Sequence, residues 1–550
     1  MLEGFDLAGI QDEKAREAIV RLLNIIEDLT VALRAAQQEN QRLRDEINRL
    51  KGEQGKPNIK GNTSKPPTSS NYSSEQERRT PKAWSKDRKK GKIRIDREQT
   101  LRVDPTILPA DAEFKGHEDV VVQDVVFCTD NICFRKEKYY SPSEARTYLA
   151  SLPPGYEGQF GPGVKSMAIV LYFAAQMSEP KIAELFRHVG VQISDGELSN
   201  LLIKKQEEFH AEKDAVYEAG LRSSPWQHLD ETSTRVNGQN QHCQIVFNPL
   251  YTAYFTTETK DRQSVLEVLR NGGPASFLFN HETDTLLGTL GVSRGLLQQL
   301  ADMPREQTLD EATMLGLLQE RLPSLGPQQR RCILDAAGIA AYHAQMEFPV
   351  VKLLVCDDAP QFMLVTEELA LCWVHEGRHY KKMMPCVEHH RKLLEDFRKA
   401  FWDYYYELLA YRQAPREGEG ERLAARFDEL FSTKTGFYAL DDRIAKTKAK
   451  KGCLLMVLEH PEIPLHNNPA ELGARMRVRK RDVSFGPRTR DGTRAWDTFM
   501  TLAATATKLG VSFYAYIHDR ISETRRLPGL DSMIEAKATE LSLGASWGTP

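Results

Sequence analysis

The chain has 550 residues, with 74 basic and 77 acidic side chains for a formal net charge of −3, 41% hydrophobic residues and 27% charged ones. That is ordinary for a soluble globular protein, and the length predicts about three or four domains. A near-neutral chain taken whole argues against a nucleic-acid partner, but the charge here is unevenly spread. The opening MLEGFDLAGIQDEK has no basic n-region and no long apolar core, so no signal peptide is expected. The longest apolar run, Met167 to Ala175, is about half of what a bilayer needs, so no membrane association is expected. Eight cysteines are too few for a disulfide scaffold and suit a reducing, cytoplasmic setting.

Residues 1–52 read as a dimerisation helix. A heptad seam runs through Ala15, Ile19, Leu22, Ile26, Leu29, Leu33, Ala36, Asn40, Leu43, Ile47 and Leu50, with spacings alternating between four and three. That 3.5-residue period predicts a left-handed coiled coil, and Asn40 at an a position favours a parallel two-stranded pair. The alternative is an amphipathic helix packed on its own globular domain. Residues 53–100 then read as a flexible tether rich in Gly, Pro, Ser and Thr. Residues 51–97 hold 14 Lys/Arg against 5 Asp/Glu, a balance of +9. Within it Arg88, Lys89, Lys90 and Lys92 would follow a phosphate backbone, gaining from counterion release.

Residues 101–160 are expected to form a small β-rich domain, since HEDVVVQDVVF is strand-like. Cys128 and Cys133 form a C-x4-C without a second pair, which falls short of a zinc module, so both read as small core residues. Residues 161–222 are helical. EPKIAELFRHVGVQISDGELSNLLIK reads helix, turn at Gly190, helix, with Ser194 and Glu197 as a capping box. That is helix-turn-helix spacing, although ordinary helical hairpins share it.

Three acidic blocks follow. WQHLDETSTRVNGQNQHCQIVF gives a strand ending near Asp230, then a hairpin at Asn237-Gly238 and a long strand, and DRQSVLEVLRNG gives a short helix closed by Gly272. VVKLLVCDD is a continuous apolar strand ending at Asp357 and Asp358. HNNPAELGARMRVRKRD places Glu471 at the start of a basic segment, where residues 471–494 balance to +5. Two acids at strand ends and one on a helix meet the needs of a two-metal site. Hard oxygen ligands hold Mg²⁺, and paired ions clamp an in-line phosphoryl displacement.

HLDETSTRVNGQN, LLVCDDAPQF with LALCWVHEGRHY, and NNPAELGAR with RKRDVSFGPRTRDGTRA together resemble the IS66-type family of bacterial insertion-sequence transposases. The resemblance spans most of residues 1–520. It implies an RNase H-like catalytic domain whose DDE triad is Asp230, Asp357 and Glu471, with Asp358 as fallback for the second acid. It also implies two Mg²⁺ ions, replaceable by Mn²⁺, with DNA as partner (the element's terminal repeats and target DNA), and accessory proteins encoded by the same element. Asn468 would support the site with His375 and Arg378, while Arg475, Arg479, Lys480 and Arg481 would hold DNA. The chain departs from the family in lacking a full cysteine-rich zinc module and in having Leu472 where a basic residue often follows the third acid. The expected architecture is multidomain α/β. The catalytic domain spans 223–525, with helical insertions at 273–349 and 385–460, and a C-terminal tail follows at 526–550.

Two other readings compete. His375-Glu376-x-x-His379 matches H-E-x-x-H, which on a helix would place two imidazoles on zinc with the glutamate as general base. Gly377 weakens that helix, and no third-ligand signature follows. Alternatively, the coiled coil, tether and helix-turn-helix could form a non-catalytic DNA-binding regulator, which leaves the acidic blocks unexplained. No G-x-x-x-x-G-K-[ST] phosphate loop occurs, so ATP hydrolysis is unsupported.

Overall fold

The computed structural model describes residues 10–50, 95–109, 112–541 and 543, with only the backbone course given at 48–49, 105 and 468–472. Arg88, Lys89, Lys90 and Lys92, with most of the expected tether, lie outside the described residues. The chain is mixed α/β, with a long N-terminal helix and a mixed five-stranded sheet.

Helix α1 (Glu13–Leu50) is a single rod of 38 residues. From Leu22 onward its heptad seam faces solvent in this single chain: Leu22, Leu29, Leu33 and Leu43 are all more than half exposed, while Ile19 packs beside Leu23. A second face, formed by Val20, Leu23, Asn24 and Glu27, packs against the chain's own later part. At 3.6 residues per turn the two faces lie roughly 160° apart. The two sequence-based alternatives for this helix therefore describe opposite sides of one rod.

Residues 95–137 contain a single 3-10 turn (Pro105–Ile107) and no strand among those described. Only the hairpin β1 (Lys138–Ser141) and β2 (Arg146–Leu149) pairs here, so the expected β-rich domain is reduced to two short strands. HEDVVVQDVVF has the side chains of a strand but no neighbouring ladder, and Val120, Val122 and Val126 stay exposed. Cys128 and Cys133 are exposed as well, which corrects their reading as core residues.

The helical region holds α2 (Pro162–Ile169), which runs into a π turn at Val170–Ala174, then α3 (Glu179–His188), α4 (Asp195–Ile203) and α5 (Glu207–Arg222). Gly190 takes φ +87° in the turn between α3 and α4, and Ser194 Oγ caps α4 by accepting from Glu197 N at 3.2 Å.

The main sheet begins with β3 (Trp226–Val236), β4 (Gln239–Phe247) and β5 (Thr252–Thr257), an antiparallel meander. Its first turn is the expected two-residue hairpin: Asn237 and Gly238 have φ +49° and +77°, as a type I′ turn needs. Helix α6 (Arg262–Leu269) starts at an Asp261 cap. The first insertion follows with β6 (Ser276–Leu278), α7 (His281–Thr289), α8 (Arg294–Leu300), β7 (Thr308–Asp310), α9 (Glu311–Arg321) and α10 (Pro327–Ala344). It is not purely helical, because β6 and β7 pair antiparallel.

The chain then returns to the sheet as β8 (Leu353–Cys356) and β9 (Glu368–Leu371), both parallel to β3, giving the order β5-β4-β3-β8-β9. All four residues of β8 are buried, as a continuous apolar run in a central strand should be. After α11 (Trp373–Lys382) the second insertion is helical: α12 (Glu388–Gln413), α13 (Glu419–Leu430), α14 (Tyr438–Lys448) and the short α15 (Lys451–Leu454). Here α1 docks. Asn24 Nδ2 donates to Gly436 O at 2.8 Å while Tyr438 N donates to Asn24 Oδ1 at 2.9 Å. The Glu27 carboxylate accepts from Cys386 N and Val387 N at 2.6 and 2.9 Å, capping α12 from a distant part of the sequence.

The chain ends in α16 (Asn468–Ser484), α17 (Arg490–Leu509), α18 (Phe513–Ile521) and α19 (Leu530–Leu541). Asp497, Thr501 and Thr505, one turn apart on α17, accept the backbone N–H groups of Thr256, Tyr254 and Thr252 along β5. Helix side chains thus satisfy an edge strand that would otherwise offer its donors to another chain. Residues 526–550 were expected as a tail, but α19 packs with Leu530 and Ile534 fully buried.

Candidate functional site

Asp230 was expected at a strand end but stands near the middle of β3, which goes on pairing with β4 as far as Val236, whereas Asp357 directly follows β8 as expected. The parallel register pairs Trp226 with Leu353, Gln227 with Leu354 and His228 with Val355. Continued two residues past the last pair, that register leads to Asp230 on one strand and Asp357 just beyond the other, across a strand spacing of about 4.8 Å. Both carboxylates are half-buried. The buried Cys356 thiol senses both: burial pushes its pKa well up, and the charges of Asp357 and Asp230 push it further. Asp357 Oδ1 accepts from Ala359 N at 3.1 Å, which closes a turn right after the strand.

Helix α16 crosses the same sheet face. Cross-strand pairing aligns Asp230 with Ile245 and Ile245 with Tyr254, so these three share a face. Gly473 approaches so closely that a Cβ there would lie 3.4 Å from Ile245 Cγ2, and its carbonyl accepts from Tyr254 OH at 3.1 Å. At the other end Asn467, fully buried, donates from Nδ2 to Leu229 O at 3.1 Å. The backbone of the first turn of α16, which carries Asn468 and Glu471, therefore spans from Leu229 to Ile245, on either side of Asp230. The side chains of Asn468 and Glu471 lie outside the described residues. Pro469 falls in the first turn, where its missing N–H costs nothing.

A model of the Transposase IS66 family matches residues 157–271, a span that contains Asp230. The chain is also 32% identical over 324 residues to the uncharacterized protein y4jO of Sinorhizobium fredii, an alignment covering 58% of this chain and 99% of that relative. This chain belongs to the IS66 family of transposases.

In this family member the basic residues near Glu471 divide. Arg475 and Arg479 are exposed, and Arg481 donates to Ser233 O at 2.6 Å. Lys480, expected on the DNA face, is instead fully buried. Its ammonium lies 3.1 Å from the centroid of the Tyr172 ring and donates to Met177 O at 3.1 Å. Burial lowers its pKa to about 7, against the opposing pull of Glu179. The spacing of the RVRKR run gave no hint of this inward turn. Arg477, not singled out from sequence, is also fully buried; it pairs with Asp497 at 3.0 Å and donates to Thr256 Oγ1 at 2.6 Å. It thus ties α16 to α17 and to β5.

The H-E-x-x-H residues lie on α11, but the structure does not gather them as a zinc site. Among the described residues the cluster with metal-ligand spacing is Asp358, Glu376 and His379, without His375. His375 Nε2 instead sits 3.0 Å from Arg378 Nη1. Glu376 is buried and held by Arg443, Thr447 and Lys450, so it is not poised as a general base. Gly377 has a packing reason: a Cβ there would meet the Trp402 ring at 2.8 Å. No helix is long and apolar enough to cross a membrane among the described residues.

Proposed function

We propose that this IS66-family chain is a DDE-type DNA transposase built on an RNase H-like sheet. The observation that carries the reading is the level placement of Asp230 and Asp357 on adjacent parallel strands, with the start of α16 lying across Asp230. The strand order, with a three-stranded meander extended by two strands parallel to its first member, supports the same reading.

Asp230, Asp357 and Glu471 would hold two Mg²⁺ ions, or Mn²⁺ in their place. The donors fit such ions, because the two described carboxylates are hard oxygen ligands, half-buried and carried by adjacent parallel strands. Bound there, the ions would activate the attacking oxygen and stabilise both the entering and leaving oxygens of an in-line displacement. The chain's own part is positioning. Strands β3 and β8 fix the first two carboxylates, α16 presents the third, and the exposed Arg475 and Arg479 hold phosphodiesters. In the first reaction water attacks a phosphodiester at the element end and releases a 3′-OH. In the second that 3′-OH attacks a target phosphodiester, which exchanges one P–O bond for another.

DNA is thus the proposed partner, with α3–α4 and the basic 51–97 segment as further contacts and element-encoded proteins as accessories. The second proposed partner is another copy of this chain, joined through the solvent-facing seam of α1. The docking of the opposite face onto the second insertion leaves that seam open to a partner helix.

The test incubates the full-length protein with labelled element ends and Mg²⁺. The wild type should nick and join, both reactions should stop in EDTA, and Asp230→Asn should bind the ends without cutting. Cutting in EDTA, or wild-type cutting by Asp230→Asn, would contradict the proposal. A non-catalytic regulator would bind the ends and never cut them.

A further inference from the structure

The WVHEGRHY stretch of α11 has no place in the chemistry above, yet its glutamate is 3% exposed and lies at the centre of a charged network. Glu376 accepts from Arg443 and Thr447 through Oε1, and from Lys450 Nζ at 3.0 Å through Oε2. Tyr380 OH lies 2.6 Å from Thr447 Oγ1, which fixes that hydroxyl in turn. The same Lys450 ammonium reaches across to Asp358 Oδ2, and His379 Nε2 lies 3.6 Å from that oxygen. One ammonium from the end of the second insertion thus bridges an acid on α11 and an acid in the turn after β8.

Asp358, Glu376 and His379 have the spacing of a metal site. Lys450, however, bridges both carboxylates and Arg443 pairs with one of them, so two negative charges already face two positive ones. A divalent ion would have to displace the ammonium and would leave the cluster with excess positive charge. The cluster carries its own cation.

Its location gives it a use. Asp358 directly follows Asp357 in the turn after β8, so the two residues share one rigid peptide unit. Anchoring the Asp358 carboxylate on Lys450 therefore restrains the backbone that carries Asp357. The rest of the turn is pinned independently: Cys372 N donates to Cys356 O at 2.9 Å, and Arg262 donates to Pro360 O and Met363 O at 2.9 and 3.1 Å. Lys450 supplies the sideways restraint.

We propose that Lys450, held by Glu376, is a positioning residue that aims Asp357 through Asp358 and so links the second insertion to the catalytic turn. This rests on the reading of Asp357 as catalytic. The experiment measures cleavage of labelled element ends by the full-length protein against Mg²⁺ concentration, with thermal melting alongside, for Lys450→Met, Lys450→Arg and Asp358→Asn. Lys450→Met and Asp358→Asn should each raise the half-saturating Mg²⁺ concentration about tenfold or more, the usual effect of losing a group that orients a metal ligand. Lys450→Arg, which keeps the charge, should recover most of the loss.

A fall in melting temperature with unchanged Mg²⁺ dependence would show a merely structural role and overturn the inference. If Lys450→Met does not fold, Asp358→Asn gives the same reading, and wild-type Mg²⁺ dependence there would overturn it equally. Asp357→Asn serves as the control. Cleavage by that variant would defeat the catalytic reading itself, whereas its inactivity beside a wild-type Lys450→Met would defeat only this inference.

Discussion

Asn467 Nδ2 donates to the carbonyl of Leu229 at 3.1 Å, joining the residue just before α16 to the residue just before Asp230. Two blocks far apart in sequence meet here, and the acid-bearing first turn of α16 follows directly. Asn467→Ala should leave the buried Leu229 carbonyl without this donor and destabilise the fold by about 1–3 kcal/mol. DNA cleavage should fall further than stability alone explains, by about 10²-fold, because a misplaced ligand affects the reacting geometry. Denaturant unfolding and single-turnover cleavage, measured on the same variant, check both.

The docking of α1 depends on Glu27. Burial raises its carboxyl pKa, but the amides of Cys386 and Val387 and the His390 ring outweigh this and hold it below the ordinary value of 4.5. A depressed carboxyl stabilises the fold above its unfolded pKa, and that contribution fades as pH falls through the lower folded value. Glu27→Gln should therefore destabilise the protein near neutral pH by about 1–2 kcal/mol, the scale of a lost helix cap. The gap to wild type should narrow on acidification below about 4.5. Thermal melts from pH 3 to pH 7 measure it.

The opposite face of α1 makes a separate prediction. Leu29→Glu with Leu33→Glu places charge in the proposed dimer seam but touches none of the contacts made by Leu23, Asn24 and Glu27. The double variant should be monomeric by light scattering where wild type is dimeric, with its catalytic-domain melting unchanged. A wild type that is monomeric at micromolar concentration would contradict the pairing.

Lys480 provides a pH test of the core. Its pKa falls from 10.5 unfolded to about 7 folded, so between those values the unfolded chain binds more protons and stability rises with pH. Lys480→Met keeps an unbranched stem without the charge. Its stability relative to wild type should be greatest below pH 7 and should shrink steadily toward pH 10, as followed by urea unfolding across that range.

The strands that carry the acids were legible because their signals are local. LLVC is an uninterrupted apolar run that stops at two aspartates, and Asn237-Gly238 writes its own turn. The third block was read from the NNPAE pattern, in which Asn467, not singled out from sequence, is a buried anchor. What escaped sequence reading depends on partners hundreds of positions away. Asn24 and Glu27 look like the solvent face of a coiled coil until Gly436, Tyr438 and Val387 are placed against them. Glu376 looks like a metalloprotease base until Arg443 and Lys450 are seen to enclose it. Lys480 reads as part of a basic stripe, yet its helical position turns it beneath Tyr172. HEDVVVQDVVF shows the converse, since strand-forming side chains make no strand without a neighbour to pair with.

The central claim is that Asp230 and Asp357 share a metal site with Glu471. Its most direct test is a Mn²⁺-soaked crystal of the full-length protein bound to an element end, with the metals located by anomalous scattering. Two peaks about 3.5–4 Å apart between β3, β8 and the first turn of α16 are the predicted result. A single peak among Asp358, Glu376 and His379, with none beside Asp230, would contradict it.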